Sequence, residues 1–469
     1  MKCYIYISGI IIYLVLALFT SGCSDDSTGP DGESPFHELN HLWSKHYGDA
    51  NDQRVYGVAC DGSGNVVVTG CFMGTVNFGG SDLTSAGDWD IFLAKFDADG
   101  GHLWSKRFGN SDNQIGASVA CGESGNVAIT GYYEGDMSFG GGGMHGYYGG
   151  WDIFVAQFDA DGGYLWSKAY GDEEISQYGH GVVFDGSGNV IFTGEFEGTL
   201  YFGVEGGFLT SSGSSDILIV KLDPDGGIIW RKRFGDSDYQ CSVSIASDGM
   251  GNMAITGTFH GTVDFGGGAL INAGCEDIFL AMFDPNGSHL WSKSFGDVSD
   301  QRVSSIACDE SGKVAVTGDF EGSVDFGGGP LASAGNSDIF LAQFDEYGSH
   351  LWSKRFGDVS FQQCQSVTCD GSGNVVVTGD FMGNVDFGGS PLTSPVRRDI
   401  FLAMFDMNGD HIWSKRFGDD EQQYARGVTF DESGNVVVTG IFFGAVYFGG
   451  EWLTSAGGQD IFLAKFGPQ

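Results

Sequence analysis

Positive charge is what this chain has least of: 22 lysines and arginines stand against 61 aspartates and glutamates, a net charge of −39 over 469 residues. A surface of that sign repels polyphosphates and anionic lipid, so nucleic acid is excluded as a partner and any membrane contact must come through an anchor. Proline is scarce, at 8 residues, and no part of the repeating sequence spaces its apolar residues at a helical period, which leaves an all-β chain. Catalytic signatures are missing as well. There is no Gly-x-Ser-x-Gly elbow, no P-loop and no His-Glu-x-x-His, and no Cys-x-x-Cys pair offers zinc-ligand spacing. No catalytic residue, no metal ligand and no cofactor is therefore assigned from the sequence.

Glycine is abundant, at 80 residues, and it recurs at fixed places. The stretch DIFLAKFDADGGHLWSKRFGN, 90–110, returns along the chain with its tryptophan at Trp43, Trp104, Trp166, Trp230, Trp291, Trp352 and Trp413. A Thr-Gly pair keeps the same beat at Thr69, Thr130, Thr193, Thr256, Thr317, Thr378 and Thr439. Two landmarks in phase define one unit repeated seven times. Within a unit the sequence breaks into four short strands, two of them joined by Asp-Gly-Ser-Gly-Asn, a hairpin signal in which glycine supplies the positive φ of a tight reversal.

Runs such as VVVTG and IFLAKF are apolar at nearly every residue, as a sheet requires when both faces are buried. That pattern predicts a seven-bladed β-propeller of four-stranded antiparallel blades. The repeat domain, 41–469, opens with a solitary LWSK strand and closes with a solitary DIFLAKF strand, two segments that form one hairpin everywhere else. Pairing them closes a ring, whereas an open solenoid would end in caps. GSGNVVVTG, its variants GSGNVIFTG and ESGNVVVTG, DIFLAKFDADG and LWSK together resemble the bacterial seven-bladed β-propeller repeat family of secreted and surface proteins. The resemblance implies fold and export and assigns little biochemistry.

Before the repeats, 1–22 carries Lys2 and an apolar run ending in Thr20-Ser21-Gly22-Cys23. This reads as a signal peptide whose end resembles a bacterial lipobox, with Cys23 as the lipidated residue. From Cys23 to Asn40 the chain is poor in apolar residues and reads as a tether, so a monomer anchored to the outer membrane or cell surface is expected. Cys60, Cys121, Cys308 and Cys369 share a repeat position with Phe184, Ser247 and Phe430, and a place that takes either Cys or Phe marks a buried apolar site.

For function, a binding or scaffold role toward a protein, peptide or glycan is expected on the face of the longer loops. Gln53, Gln114, Gln177, Gln240, Gln301, Gln362 and Gln423 recur just after the blade crossover and are expected to ring the channel mouth. An insertion in the second repeat, 141–151, adds His145, Tyr147, Tyr148 and Trp151 as binding candidates. Asp97-Ala98-Asp99-Gly100 and its copies at Asp159, Asp223 and Asp284 invite calcium, but the distant acidic ligand of a calcium loop is missing, and they read as hairpin turns. The alternative is a polysaccharide hydrolase or lyase using Glu195 and Glu197 as acid and base.

Overall fold

In the computed structural model the described residues are 39–144, 146, 150–172 and 175–468, without the side chain of residue 205. The signal and lipobox, Cys23, most of the tether, His145, Tyr147 and Tyr148 lie outside them. The repeat domain forms seven four-stranded antiparallel sheets, each the blade of a propeller. Strands are labelled a to d from the channel outward. In blade 1 these are Gln53–Cys60, Val66–Phe72, Asp90–Phe96 and His102–Phe108.

Blade 7 takes strands a to c from Gln423–Phe430, Val436–Phe442 and Asp460–Gly467, and its outer strand d is the N-terminal Asn40–Tyr47. The register runs from Asn40 opposite Gly467 to Tyr47 opposite Ile461. The expected closure is present.

Strands b and c of blade 1 are buried at every residue. The core is divided into seven clusters, each shared by two neighbouring blades, so no blade has a core of its own. Cys60, Cys121, Cys308 and Cys369 pack against these clusters, and burial pushes the Cys121 thiol up to about 12. All eight cysteines among the described residues are free thiols.

The signature tryptophans latch one blade to the next. Trp43 of blade 7 donates its indole N–H to Ala98 O in the c–d hairpin of blade 1 at 3.0 Å, and Trp104 does the same to Ala160 O in blade 2 at 3.1 Å. Trp166, Trp230, Trp291 and Trp352 continue the series around the ring. The hairpin glycine lies flat under the ring: Gly100 has φ +77°, and a Cβ there would sit 3.0 Å from the Trp43 indole. Facing the blade closed by the termini, Trp413 meets no c–d hairpin.

The long b–c connections fold back as two-stranded ribbons, as at Thr75–Val76 with Leu83–Thr84. Phe78 in that ribbon enters the cleft between blades 7 and 1, with ring centroids 5.0 Å from both Tyr47 and Phe92. The Gly79-Gly80 pair that follows accommodates the His102 ring, whose Nε2 lies 3.0 Å from Ser105 Oγ. The recurrent histidines His41, His289, His350 and His411 hold the same arrangement. Loop length here serves outer packing as well.

Removing 40–47 should lower the thermal midpoint of the whole ring, because strand c of blade 7 becomes an unpaired apolar edge. Loss of the Tyr47 ring contacts alone removes on the order of 3–5 kcal/mol. Calorimetry on the truncated chain checks this, and a midpoint equal to that of the full chain would contradict closure.

Candidate functional site

Every inner strand carries one extra residue. In blade 1 the pairing of strands a and b shifts between Val55 and Gly57, which leaves Tyr56 as a bulge, and the same shift occurs in the other six blades. The bulge explains the Thr-Gly pair. Strand a bends toward strand b at this point, and a Cβ on Gly70 would overlap the carbonyl oxygen of Arg54. The threonine beside it, Thr69, donates its hydroxyl to Phe92 O of strand c at 2.8 Å.

The bulged residues line a central channel of about 220 Å³. They are Tyr56, Ala117, His180, Val243, Ser304, Gln365 and Arg426, and no two are alike. Three residues upstream of each bulge the chain is uniform, with a glutamine in all seven blades; here it is not. Serines next to the bulge stitch the ring instead: Ser118 Oγ accepts the Val182 N–H at 3.3 Å, and Ser366 Oγ accepts that of Val428 at 3.2 Å.

The seven glutamines sit inside the wall, at 0% exposure. Gln53 Oε1 accepts the Asp49 N–H at 3.2 Å, while its amide nitrogen donates to Asp49 Oδ1 at 2.9 Å and Met73 O at 3.2 Å. Gln114, Gln240, Gln301, Gln362 and Gln423 repeat this pattern, and Gln177 donates to Ile175 O and Glu197 O. The expected ring of glutamines around the mouth is thus a set of buried braces holding each crossover to its own strand b. Asp97 likewise accepts the N–H groups of Asp99 and Gly101 and closes its own turn.

The residues beside the glutamines and at the ends of strands b and c are those that differ between blades, and they converge on one mouth of the channel. The Arg54 guanidinium lies 4.6 Å from the Trp89 ring centroid and donates to Gln459 Oε1 at 3.1 Å. Tyr132 meets Trp151 and Tyr178 edge-on, both at 5.0 Å. Of the insertion's candidates, Trp151 therefore reaches the mouth; Met144, a further residue of the insertion, is buried in a bridge to Met137.

Further round the ring, Glu195 is 8% exposed and accepts the Tyr239 hydroxyl at 2.7 Å. Its other oxygen lies 3.7 Å from His180 Nε2. Burial works to raise the Glu195 carboxyl, but hydrogen bonding and charge from His180, with the Tyr239 hydrogen bond, hold it below its usual value. Glu197 lies past the end of that strand, Val190–Phe196. Glu276 stands between His260 and Arg302 at 3.9 and 3.7 Å.

Asp380 pairs with Arg398 at 2.9 Å, and Arg398 stacks 4.0 Å from the Phe361 ring centroid. Tyr424 lies between Arg398 and Arg426, 5.8 and 5.7 Å from them. Asp319 accepts the Ser337 hydroxyl at 2.6 Å. Asp319 and Asp380 each keep one buried oxygen with no hydrogen-bond partner. Burial raises both carboxyls, Asp380 to about 6 against the pull of Arg398 and Arg426. The mouth can thus offer a ligand guanidinium groups, carboxylates and flat aromatic faces.

Sequence reasoning found the ring but not these residues. Their signal was present as variation within a strict repeat: the position after the conserved glutamine reads Arg54, Ile115, Tyr178, Cys241, Arg302, Gln363 and Tyr424.

Fold and mouth together define a seven-bladed β-propeller with an asymmetric polar and aromatic site at one end of its channel. No known protein-family profile matches the chain. It is 23% identical over 424 residues to an uncharacterized WD repeat-containing protein of Acanthamoeba polyphaga mimivirus, a match covering 73% of this chain and 30% of that protein. It is 24% identical over 176 residues to the regulatory protein FlaEY of Caulobacter vibrioides, covering 35% of this chain and 18% of that one. The chain spans less than a third of the length of these curated relatives. Among solved structures it is similar to a WD40 β-propeller domain (10% identity, 92% of this chain, 97% of that one, TM-score 0.45). It is also similar to streptogramin B lyase (10% identity, 90% and 97%, TM-score 0.42).

The raised Asp380 carboxyl makes a signed prediction. A carboxyl whose folded-state value lies above its unfolded one favours folding fully below the unfolded value of 3.8, and loses that contribution as pH rises through about 6. Asp380→Asn, neutral throughout, should gain urea midpoint over the native chain at about pH 8 and show no such gain near about pH 4. A gain equal at both would contradict the assignment.

Proposed function

We propose that this protein is a non-catalytic binding propeller, exported and lipid-anchored through Cys23, that holds a glycan at the channel mouth. One observation carries the reading: within a repeat kept nearly constant seven times, the residues that differ from blade to blade gather around a single opening. Identity at a position serves packing between blades, and singular residues serve a ligand that lacks sevenfold symmetry.

The half-buried rings of Trp89, Tyr132, Trp151 and Tyr178 suit the flat apolar faces of sugar rings. Arg54, Arg302, Arg398 and Arg426, four of the ten arginines in the chain, stand at the same opening with acceptors between them. Such alternation of donors and acceptors matches the hydroxyl groups of a saccharide. The resemblance of the repeats to bacterial secreted and surface propellers supports the export half of the reading.

Screening the full chain on a glycan array should yield a ligand whose affinity falls by about tenfold or more in Arg398→Ala and Tyr178→Ala. Trp452→Ala, on an outer ribbon, should leave it unchanged. Loss in all three variants, or in none, would move the site elsewhere. Metabolic labelling with a radioactive fatty acid should mark the native chain and not Cys23→Ser.

A second reading, a polysaccharide hydrolase or lyase, is favoured by the buried Glu195 and its Tyr239 and His180 partners. It ranks lower because Glu197, past the end of the same strand, does not join that cluster as a second carboxylate. Turnover of a bound glycan that vanishes in Glu195→Gln would reverse the ranking.

A further inference from the structure

Three residues of metal-ligand type meet where blades 3 and 4 adjoin the channel. His180 is the bulge of one inner strand, Glu195 is the last residue but one of the neighbouring strand b, and Cys241 follows the glutamine of the next inner strand. Their donor atoms all lie within 4.8 Å of one another, with Cys241 Sγ 3.8 Å and Glu195 Oε1 3.7 Å from His180 Nε2. Among the described residues no other trio of histidine, cysteine or acidic groups converges in this way.

The second carboxylate oxygen of Glu195 is occupied by the Tyr239 hydroxyl at 2.7 Å and the Ser215 hydroxyl at 3.4 Å. That fixes the carboxylate with its first oxygen turned to the histidine, as outer hydrogen bonds do for metal ligands. Glu195 and Cys241 are buried, while the His180 side chain keeps 26% exposure and lines the channel. None of the other six bulge positions is a histidine.

We propose that His180, Glu195 and Cys241 form a three-ligand transition-metal site that takes zinc, with its fourth position open to the channel. One imidazole nitrogen, one thiolate and one carboxylate suit a borderline-soft ion and are poor ligands for calcium or magnesium. Tetrahedral zinc with bonds of about 2.0–2.3 Å places its ligand atoms roughly 3.3–3.6 Å apart. The two separations from His180 Nε2, 3.7 and 3.8 Å, are a few tenths of an ångström wider, within reach of small side-chain rotations. As the zinc–sulfur bond forms the Cys241 thiol proton leaves to solvent, and no electron is transferred. Three protein ligands with an open fourth position can hold a water or a ligand hydroxyl at the mouth.

The inference rests on the channel mouth as the functional site, yet it is tested with metal alone, so its failure and the failure of glycan binding are distinguishable. The full chain, stripped with a chelator, is titrated with cobalt(II). One equivalent should produce a thiolate-to-cobalt absorption in the near ultraviolet with tetrahedral visible bands, and one equivalent of zinc should remove both. Cys241→Ser should abolish the near-ultraviolet band, whereas Cys275→Ser, at an exposed cysteine outside the cluster, should keep it. His180→Gln, a change at the partly exposed channel wall, should weaken uptake by about tenfold or more while circular dichroism stays native. No absorption in the native chain, a band that survives Cys241→Ser, or undiminished uptake in His180→Gln would each overturn the proposal.

Discussion

The contact on which the rest depends is the one between the bulge of each inner strand and the glycine of the Thr-Gly pair. An extra residue in strand a must go somewhere, and it goes into the channel because strand b, bare of a Cβ at Gly70 and its six counterparts, lets the carbonyl before the bulge press against it. The same residue that spoils the ladder is thereby aimed at the axis. Packing holds the flanking positions to one pattern in all seven blades, but the bulged side chain points away from both sheets and is free to differ. The chain uses that freedom at every blade.

Around this inner ring, cohesion is shared between neighbours. Apolar clusters span pairs of blades, a tryptophan of one blade donates to the hairpin of the next, and a phenylalanine from each folded-back ribbon fills the outer cleft. Because no sheet buries its own faces alone, the blades stand or fall together, and the closing pair of terminal strands completes the last interface as a hairpin does elsewhere.

Charge is distributed with a similar division. Many of the 61 acidic residues sit in turns, where carboxylates accept backbone N–H groups as Asp61 does from Ser63 and Asn65. Asp61, Asp185 and Asp431 also pair with nearly buried lysines, at 2.8, 2.7 and 2.7 Å. The mouth differs: there arginines, aromatic rings and half-satisfied carboxylates face one another across blade boundaries, and burial raises some of those carboxyls above their usual range. A site so built combines a rigid wall with groups whose charge a ligand can alter.

The sequence by itself determined the number of blades, the four strands in each, the turns between them and the closure of the ring, because each of these is set by local spacing of apolar residues and glycines repeated seven times. It also marked the shared cysteine position as apolar, since cysteine or phenylalanine stands there in six of the seven repeats. Only the tertiary structure showed which of the varying residues gather at the channel mouth. Glutamine in every repeat looked like a ring of ligand groups, yet a side-chain amide has both donors and acceptors and was consumed inside the wall. His180, Glu195 and Cys241 are scattered over three strands and two blades, and no spacing rule joins them. They meet because antiparallel pairing sets Glu195 beside the bulged strand and blade-to-blade packing brings Cys241 against both, a proximity that exists only once blades 3 and 4 are packed together.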